Sequence, residues 1–181
     1  MDGAPLPPRD ALTFNTSTHV GVSPAELFAL ADDLERLQRM DPRLRDVRWI
    51  SRDPRAAVLE VRLDIRFLLP LITRVVGEQQ LTVERLSVAP DRRLVYHCEG
   101  SSGSGCLEAV VSGDPTGSLI ELAGWVRAWH GLTNSLLGPL RPILVVLITR
   151  SLHRTVRRAA DFITADGSTL ASCGGVPSRR K

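Results

Sequence analysis

Residues Leu136–Ala165 read LLGPLRPILVVLITRSLHRTVRRAADFITA. Apolar side chains return every three or four positions, at Leu136, Leu137, Leu140, Ile143, Leu144, Leu147, Ile148, Leu152, Val156, Ala159, Ala160 and Ile163, a spacing that predicts one α-helix with a single buried stripe. Arg141, Arg150, Arg154, Arg157 and Arg158 occupy the other face. At ~1.5 Å per residue the helix is a rod of about 45 Å, roughly the width of a small domain. Such a rod cannot cover its own stripe. Everything upstream of Leu132 reads as short helices followed by strands, so the expected cover is a sheet that curls around the rod.

Working outward, Leu12–Val22 reads as a strand, with Thr16, Thr18, Val20 and Val22 on one face. Ser23-Pro24-Ala25-Glu26 is a capping box with proline at the first helical position, and Val22 can staple onto Leu27, so a helix begins at Pro24. It carries Leu27, Phe28 and Leu30 as far as Asp32. Asp33 then caps a second short helix through Leu34, Leu37 and Met40, which Asp41-Pro42 ends. Leu59, Val61, Leu63, Ile65 and Phe67 alternate with Glu60, Arg62, Asp64 and Arg66, which predicts a strand with a dry face toward the terminal helix and a wet face outside. Strands around Val47 and Trp49, at Gln79–Glu84, Leu94–Glu99, Cys106–Ser112 and Ser118–Trp129 bring the number to seven. Their short links favour antiparallel neighbours. Residues 1–11 are expected to be a flexible leader, 12–165 one domain and 166–181 a disordered tail.

Composition narrows the function classes. The 181 residues carry 23 Lys+Arg against 20 Asp+Glu, and Arg179, Arg180 and Lys181 account for the whole excess of +3. A near-neutral body argues against nucleic acid as a partner. Three cysteines and a polar, proline-rich start without a signal-peptide pattern point to the cytoplasm. The longest unbroken apolar run, Ile143–Ile148, is far short of the ~20 residues that span a bilayer. His19, His97, His130 and His153 have no ligand spacing, and Cys98 and Cys106 have no second thiol pair, so no metal or other cofactor is expected. Gly100–Gly105 fits neither a nucleophile elbow nor a phosphate loop, and reads as a hairpin turn. Glu60, Asp64 and Glu84 all alternate outward, which leaves no paired carboxylates for acid/base work on the dry faces.

The segment Val20-Gly21-Val22-Ser23-Pro24-Ala25-Glu26-Leu27-Phe28, followed by Ala31-Asp32-Asp33-Leu34-Glu35-Arg36-Leu37 and by Gly138-Pro139-Leu140 leading into the helix with Arg150-Ser151-Leu152, resembles the START-like superfamily. This is the SRPBCC or helix-grip group that includes polyketide cyclase/dehydrase and lipid-transport proteins. The resemblance covers about Leu12–Ala165. It implies an α+β helix-grip fold: a seven-stranded curved antiparallel sheet wrapped around the C-terminal helix, with two short helices after the first strand and a ligand cavity between sheet and helix. It implies a hydrophobic small-molecule ligand, polyketide-like or lipid. The alternatives are a non-catalytic carrier of such a ligand and a toxin-type member acting through its surface.

Parity along the strands then selects the side chains able to touch that ligand: Thr18, Trp49, Leu59, Val61, Leu63, Gln79, Leu81, Tyr96 and Cys98, with Leu140, Leu144 and Leu147 from the helix. Tyr96 is the candidate catalytic group, because a phenol can donate to a carbonyl or act as general acid as an enolate forms. The alternative is a core tyrosine whose hydroxyl finds a backbone or water partner. If the loop centres on Ser102, Cys98 and Cys106 sit opposite one another across the hairpin, either as a reactive thiol pair or as two small residues in the cavity wall. Phe67, Leu68, Leu69, Leu71 and Ile72 are apolar where a hairpin tip should be polar, and read as the cavity mouth or as a homodimer patch. The arginine row reads as a solvated face, with transient membrane-surface contact as the alternative. Only eight aromatic residues (four Phe, three Trp, one Tyr) are available to fill the interior. A cavity is therefore expected against Leu140–Leu147, opening near Phe67–Ile72 and lined by Trp49, Tyr96 and Cys98.

Overall fold

The computed structural model describes residues 6–53, 56–64, 78–89, 92–101, 103–128, 139 and 141–173. Among them are seven strands, β1 (Leu12–Val20), β2 (Leu44–Arg52), β3 (Ala56–Asp64), β4 (Glu78–Ala89), β5 (Arg93–Gly100), β6 (Gly103–Asp114) and β7 (Gly117–Ala128), and three helices, α1 (Pro24–Asp32), α2 (Leu34–Met40) and α3 (Arg141–Cys173). The strands form one antiparallel sheet in the order β1-β7-β6-β5-β4-β3-β2. Strands β1 and β2 are therefore the two edges, and α1 and α2 are the link that carries the chain from one edge to the other. Among the described residues no helix is long and apolar enough to cross a membrane.

Local chemistry sets the helix ends. Glu26 Oε2 accepts from the Ser23 amide at 2.8 Å while Ser23 Oγ accepts from the Glu26 amide at 3.4 Å, which completes the capping box. Asp33 serves both helices: its amide donates to the Leu30 carbonyl at 3.2 Å, and its Oδ1 accepts from the Arg36 amide at 3.0 Å. Asp41 stops α2, with its amide on the Leu37 carbonyl at 2.9 Å.

The nearest backbone neighbours of α3 are β1, α1 and α2. Its Ala160 and Ile163 join Val20, Val22, Leu30, Met40, Val111, Ile120 and Leu122 in the core. Polar contacts hold the same arrangement. Thr16 and Thr18, two apart on the inner face of β1, hydrogen-bond the two ring nitrogens of His153 on α3, with Thr18 Oγ1 at 2.7 Å from Nδ1. A hydroxyl donates or accepts, so the pair satisfies either neutral tautomer. At the start of α3, Arg141 donates to the Asp10 carbonyl at 2.7 Å, and Arg127 of β7 reaches the Asp10 carboxylate at 3.0 Å. Gly124 on β7 makes room for Phe14 of β1, its cross-strand partner: a Cβ there would meet the Cys106 carbonyl oxygen at 2.2 Å and Phe14 Cζ at 2.9 Å.

Several expectations change. In the β5–β6 hairpin Gly100 is paired to Gly103, so Cys98 faces Gly105 and Cys106 faces His97. That pairing shifts the register by one, which puts the two thiols on opposite faces of the sheet. Helix α3 runs past Ala165 to Cys173, where a tail was expected; no proline lies between Pro142 and Pro177 to stop it, and Arg36 pairs with Asp166 at 2.9 Å. Strand β3 begins three residues earlier than the alternation from Leu59 suggested. Val61 is buried and Arg62 exposed, as the parity requires, but β3 lies near the edge opposite β1, the strand that α3 follows. Ile65, the Phe67–Ile72 segment and the helix start at Leu136–Leu140, apart from Pro139, lie outside the described residues.

Asp41, only 3% exposed, joins three elements. Arg43, between α2 and β2, binds its carboxylate through Nε at 2.6 Å and also through Nη2, which reaches Thr155 of α3 at 3.1 Å; Arg158 of α3 lies at 3.9 Å. Burial by itself would raise the Asp41 carboxyl, but the hydrogen bonds and charge of Arg43, with the charge of Arg158, hold it below the usual carboxylate range. Asp41→Ala should cost about 2 kcal/mol, less than the ~3–5 kcal/mol of a fully buried pair because Arg43 still reaches water. Because the folded carboxyl titrates lower than the unfolded one, its stabilisation is complete above about pH 4 and is lost as pH falls through the folded value. Urea unfolding of wild type and variant should therefore converge in acid, separate as the pH rises from the folded value toward about 4, and stay apart by a constant amount above it.

Candidate functional site

A cavity of ≈ 260 Å³ lies under α1 and α2, between the inner face of β5–β7 and the Leu152–Ala159 part of α3. The short helices contribute Leu27, Phe28, Leu30, Ala31, Leu37 and Met40; the strands contribute Leu94, Tyr96, Leu107, Ala109, Val111, Ile120 and Leu122; α3 contributes Leu152, Thr155, Val156 and Ala159. Tyr96 and Thr155 are the polar side chains among these described lining residues. The Thr155 hydroxyl is already used, donating to the Ser151 carbonyl at 3.0 Å and accepting from Arg43. The Tyr96 hydroxyl makes no hydrogen bond to the protein among the described residues. Burial pushes its phenol up to about 12, against a smaller downward pull from Arg85.

Arg85 stands beside Tyr96 as its cross-strand partner on β4 and is itself buried. Its guanidinium pairs with Asp32 at the end of α1 and reaches the Ala31 carbonyl at 3.4 Å. A carboxylate at a helix C-terminus opposes the helix dipole, so Asp32 gains from a cation there. The guanidinium also lies over Trp49, 5.3 Å from the ring centroid, and Arg52 lies over the same ring at 5.5 Å. This stack forms a wall. Beyond it, a solvent-open groove of ≈ 630 Å³ is lined by Asp32, Asp33, Glu35, Gln38, Trp49 and Arg52, with Ala29, Leu34 and Val47. Among the described residues no three His, Cys, Asp or Glu side chains are placed to hold a metal.

A family model described as polyketide cyclase / dehydrase and lipid transport matches residues 11–161. The chain belongs to that family. Solved structures share its helix-grip fold. A Thermus thermophilus protein, TTHA0849, is 13% identical with a TM-score of 0.67, over 85% of this chain and 98% of that one. The Zhui aromatase/cyclase of a Streptomyces species is 11% identical with a TM-score of 0.62, over 92% and 99%. A START superfamily protein of Mycobacterium smegmatis is 11% identical with a TM-score of 0.58, over 78% and 94%. At such identities the likeness is one of fold. No curated protein sequence matches the chain.

Within this family member the residues singled out by strand parity separate into groups. Tyr96 lines the cavity, and Cys98 is on the same sheet face but not among the lining residues. Trp49 faces the groove, and Thr18 is committed to His153. Leu59, Val61 and Leu81 belong to β3 and β4, away from the β5–β7 wall of the cavity, and Leu144 and Leu147 precede the cavity segment of α3 by one to two turns. The side chains of Leu63 and Gln79, and all of Leu140, Phe67, Leu68, Leu69, Leu71 and Ile72, lie outside the described residues. Burial raises the Cys98 thiol to about 11 and also raises Cys106, so both are protonated at neutral pH and the reactive-pair reading loses its basis.

Two residues escaped the sequence reading. Arg85 continues the inward series Gln79, Leu81, Val83, and extending that count by two would have found it. His153 had its signal in Thr16 and Thr18, two inward hydroxyls that each need a partner.

Tyr96 is the chain's one tyrosine, so its ionisation can be followed by ultraviolet absorbance without overlap. Tyrosinate should appear in the folded protein only as pH approaches about 12, against about 10 for an unfolded chain. Since the unfolded state loses that proton first, stability should fall as pH rises between these values. Folded-state titration near pH 10 would place the phenol in water and not in the cavity wall.

Proposed function

We propose that this protein binds a hydrophobic small molecule, polyketide-like or lipid, in the cavity between β5–β7 and the Leu152–Ala159 segment of α3. The observation that carries the reading is an apolar cavity whose wall presents the Tyr96 hydroxyl, which has no hydrogen-bond partner among the described residues. An apolar body gains by leaving water, and a single ligand oxygen can accept from the phenol and fix the orientation. The volume of ≈ 260 Å³ is near the lower end of ligand pockets, about 300–1,000 Å³, and suits one or two rings or a short acyl chain. A phenol at about 12 remains a good hydrogen-bond donor but is a weak proton donor at neutral pH. This favours binding and carbonyl polarisation over general acid catalysis. The family description, which couples cyclase/dehydrase with lipid transport, supports the same ligand class.

The test fills the cavity. Ala159→Phe, or Ala109→Phe from the opposite wall, should abolish saturable uptake of an apolar fluorescent probe while far-ultraviolet circular dichroism stays that of wild type. Tyr96→Phe should keep apolar probes and weaken carbonyl-bearing ones by about tenfold, the value of one hydrogen bond to a buried group. Probe binding that survives both filling variants in folded protein would move the ligand elsewhere. Native mass spectrometry of protein purified from its host should show the mass of a retained apolar ligand.

A further inference from the structure

The outward stripe of α3 combines exposed apolar and cationic side chains. Ile143, Val146, Arg150, Arg154 and Arg157 follow one another at spacings of three and four residues, and so fall within an arc of about 80° around the helix. All five are exposed, Ile143 at 55% and Val146 at 64%. From Arg141 to Ala160 the helix carries no Asp or Glu; Asp161, one turn past Arg157, is the first. Arg158 on the flank reaches Asp41, and Arg141 is bonded to the Asp10 carbonyl. Arg150, Arg154 and Arg157 have no ion pair or hydrogen bond among the described residues. Like charges three and four apart on a helix repel, and an opposing anionic surface removes that cost.

We propose that this stripe docks α3 lengthwise on an anionic lipid bilayer, with the three guanidinium groups against headgroup phosphates and Ile143 and Val146 entering the acyl boundary. Charge complementarity selects an anionic occupant. The two exposed apolar side chains in line with the arginines select a bilayer, because a nucleic acid would engage the arginines and leave Ile143 and Val146 in water. The cationic length is short and the apolar contribution small, so attachment is reversible and salt-sensitive. The stripe lies on the opposite side of α3 from the cavity lining, so docking does not depend on the ligand reading.

Vesicle flotation of the full chain tests this. The protein should float with vesicles of phosphatidylcholine containing about one third phosphatidylglycerol, and not with phosphatidylcholine alone. The triple variant R150Q/R154Q/R157Q should lose about 100-fold in partitioning, and each single variant about fivefold, from the contribution of a basic residue near an anionic surface. The double variant I143S/V146S should lose several-fold at unchanged charge. These side chains are exposed, so circular dichroism of every variant should match wild type. Equal flotation with neutral vesicles, or a triple variant that floats like wild type, would overturn the proposal. So would a DNA duplex that binds more tightly than the anionic vesicles and is insensitive to I143S/V146S.

Discussion

An amphipathic helix with a continuous apolar stripe is stable in water only if something covers the stripe, and the arrangement of this molecule answers that demand. Strand β1 and helices α1 and α2 lie closest to α3, so the cover is made at one edge of the sheet and by the link that joins its two edges. The other strands are held by pairing in sequence order, each to the next. This explains why the chain can spend two short helices between its first and second strands. They occupy the side of α3 that the sheet leaves open, and they contribute Leu30 and Met40 to the shared core.

Polar groups drawn in from water are placed where elements meet. Asp41 with Arg43 and Arg158 joins the end of α2 to α3, Arg85 with Asp32 joins β4 to the end of α1, and His153 with Thr16 and Thr18 joins α3 to β1. In these three clusters the groups are partnered across elements, so the cost of burying them is offset only when those elements are correctly assembled. Such contacts add little net stability compared with apolar packing, but they disfavour other ways of laying the helix on the sheet. The Tyr96 hydroxyl, by contrast, has no hydrogen-bond partner among the described residues, and it sits in the cavity wall.

The cavity follows from the same geometry. Helices α1 and α2 contact both the sheet and α3, and the space between is bordered by small or slender side chains, Ala31, Ala109, Val111, Val156 and Ala159 among them. With few aromatic residues to reach across, the interior stays under-filled. Two rings border it, Phe28 from the helical link and Tyr96 from β5.

Much of this was legible in the residues themselves. The 3.6-residue period of α3, the period of two along β3 and β4, the capping box at Ser23-Glu26 and the double cap at Asp33 are local patterns, each satisfied by neighbours within a few positions, and together they determined the element order, while the helix-grip fold was implied by the resemblance to the START-like superfamily. Inward parity singled out Tyr96 for the same reason. What only the tertiary structure decided is non-local. The pairing of Gly100 with Gly103 sent Cys98 and Cys106 to opposite faces, a choice between hairpin registers that spacing alone leaves open. The cavity seen among the described residues lies against Leu152–Ala159, and its position depends on where α1 and α2 cross α3. That crossing is set by contacts among Val22, Leu30, Met40, Ala160 and Ile163, which are far apart in the chain and which no local period can bring together.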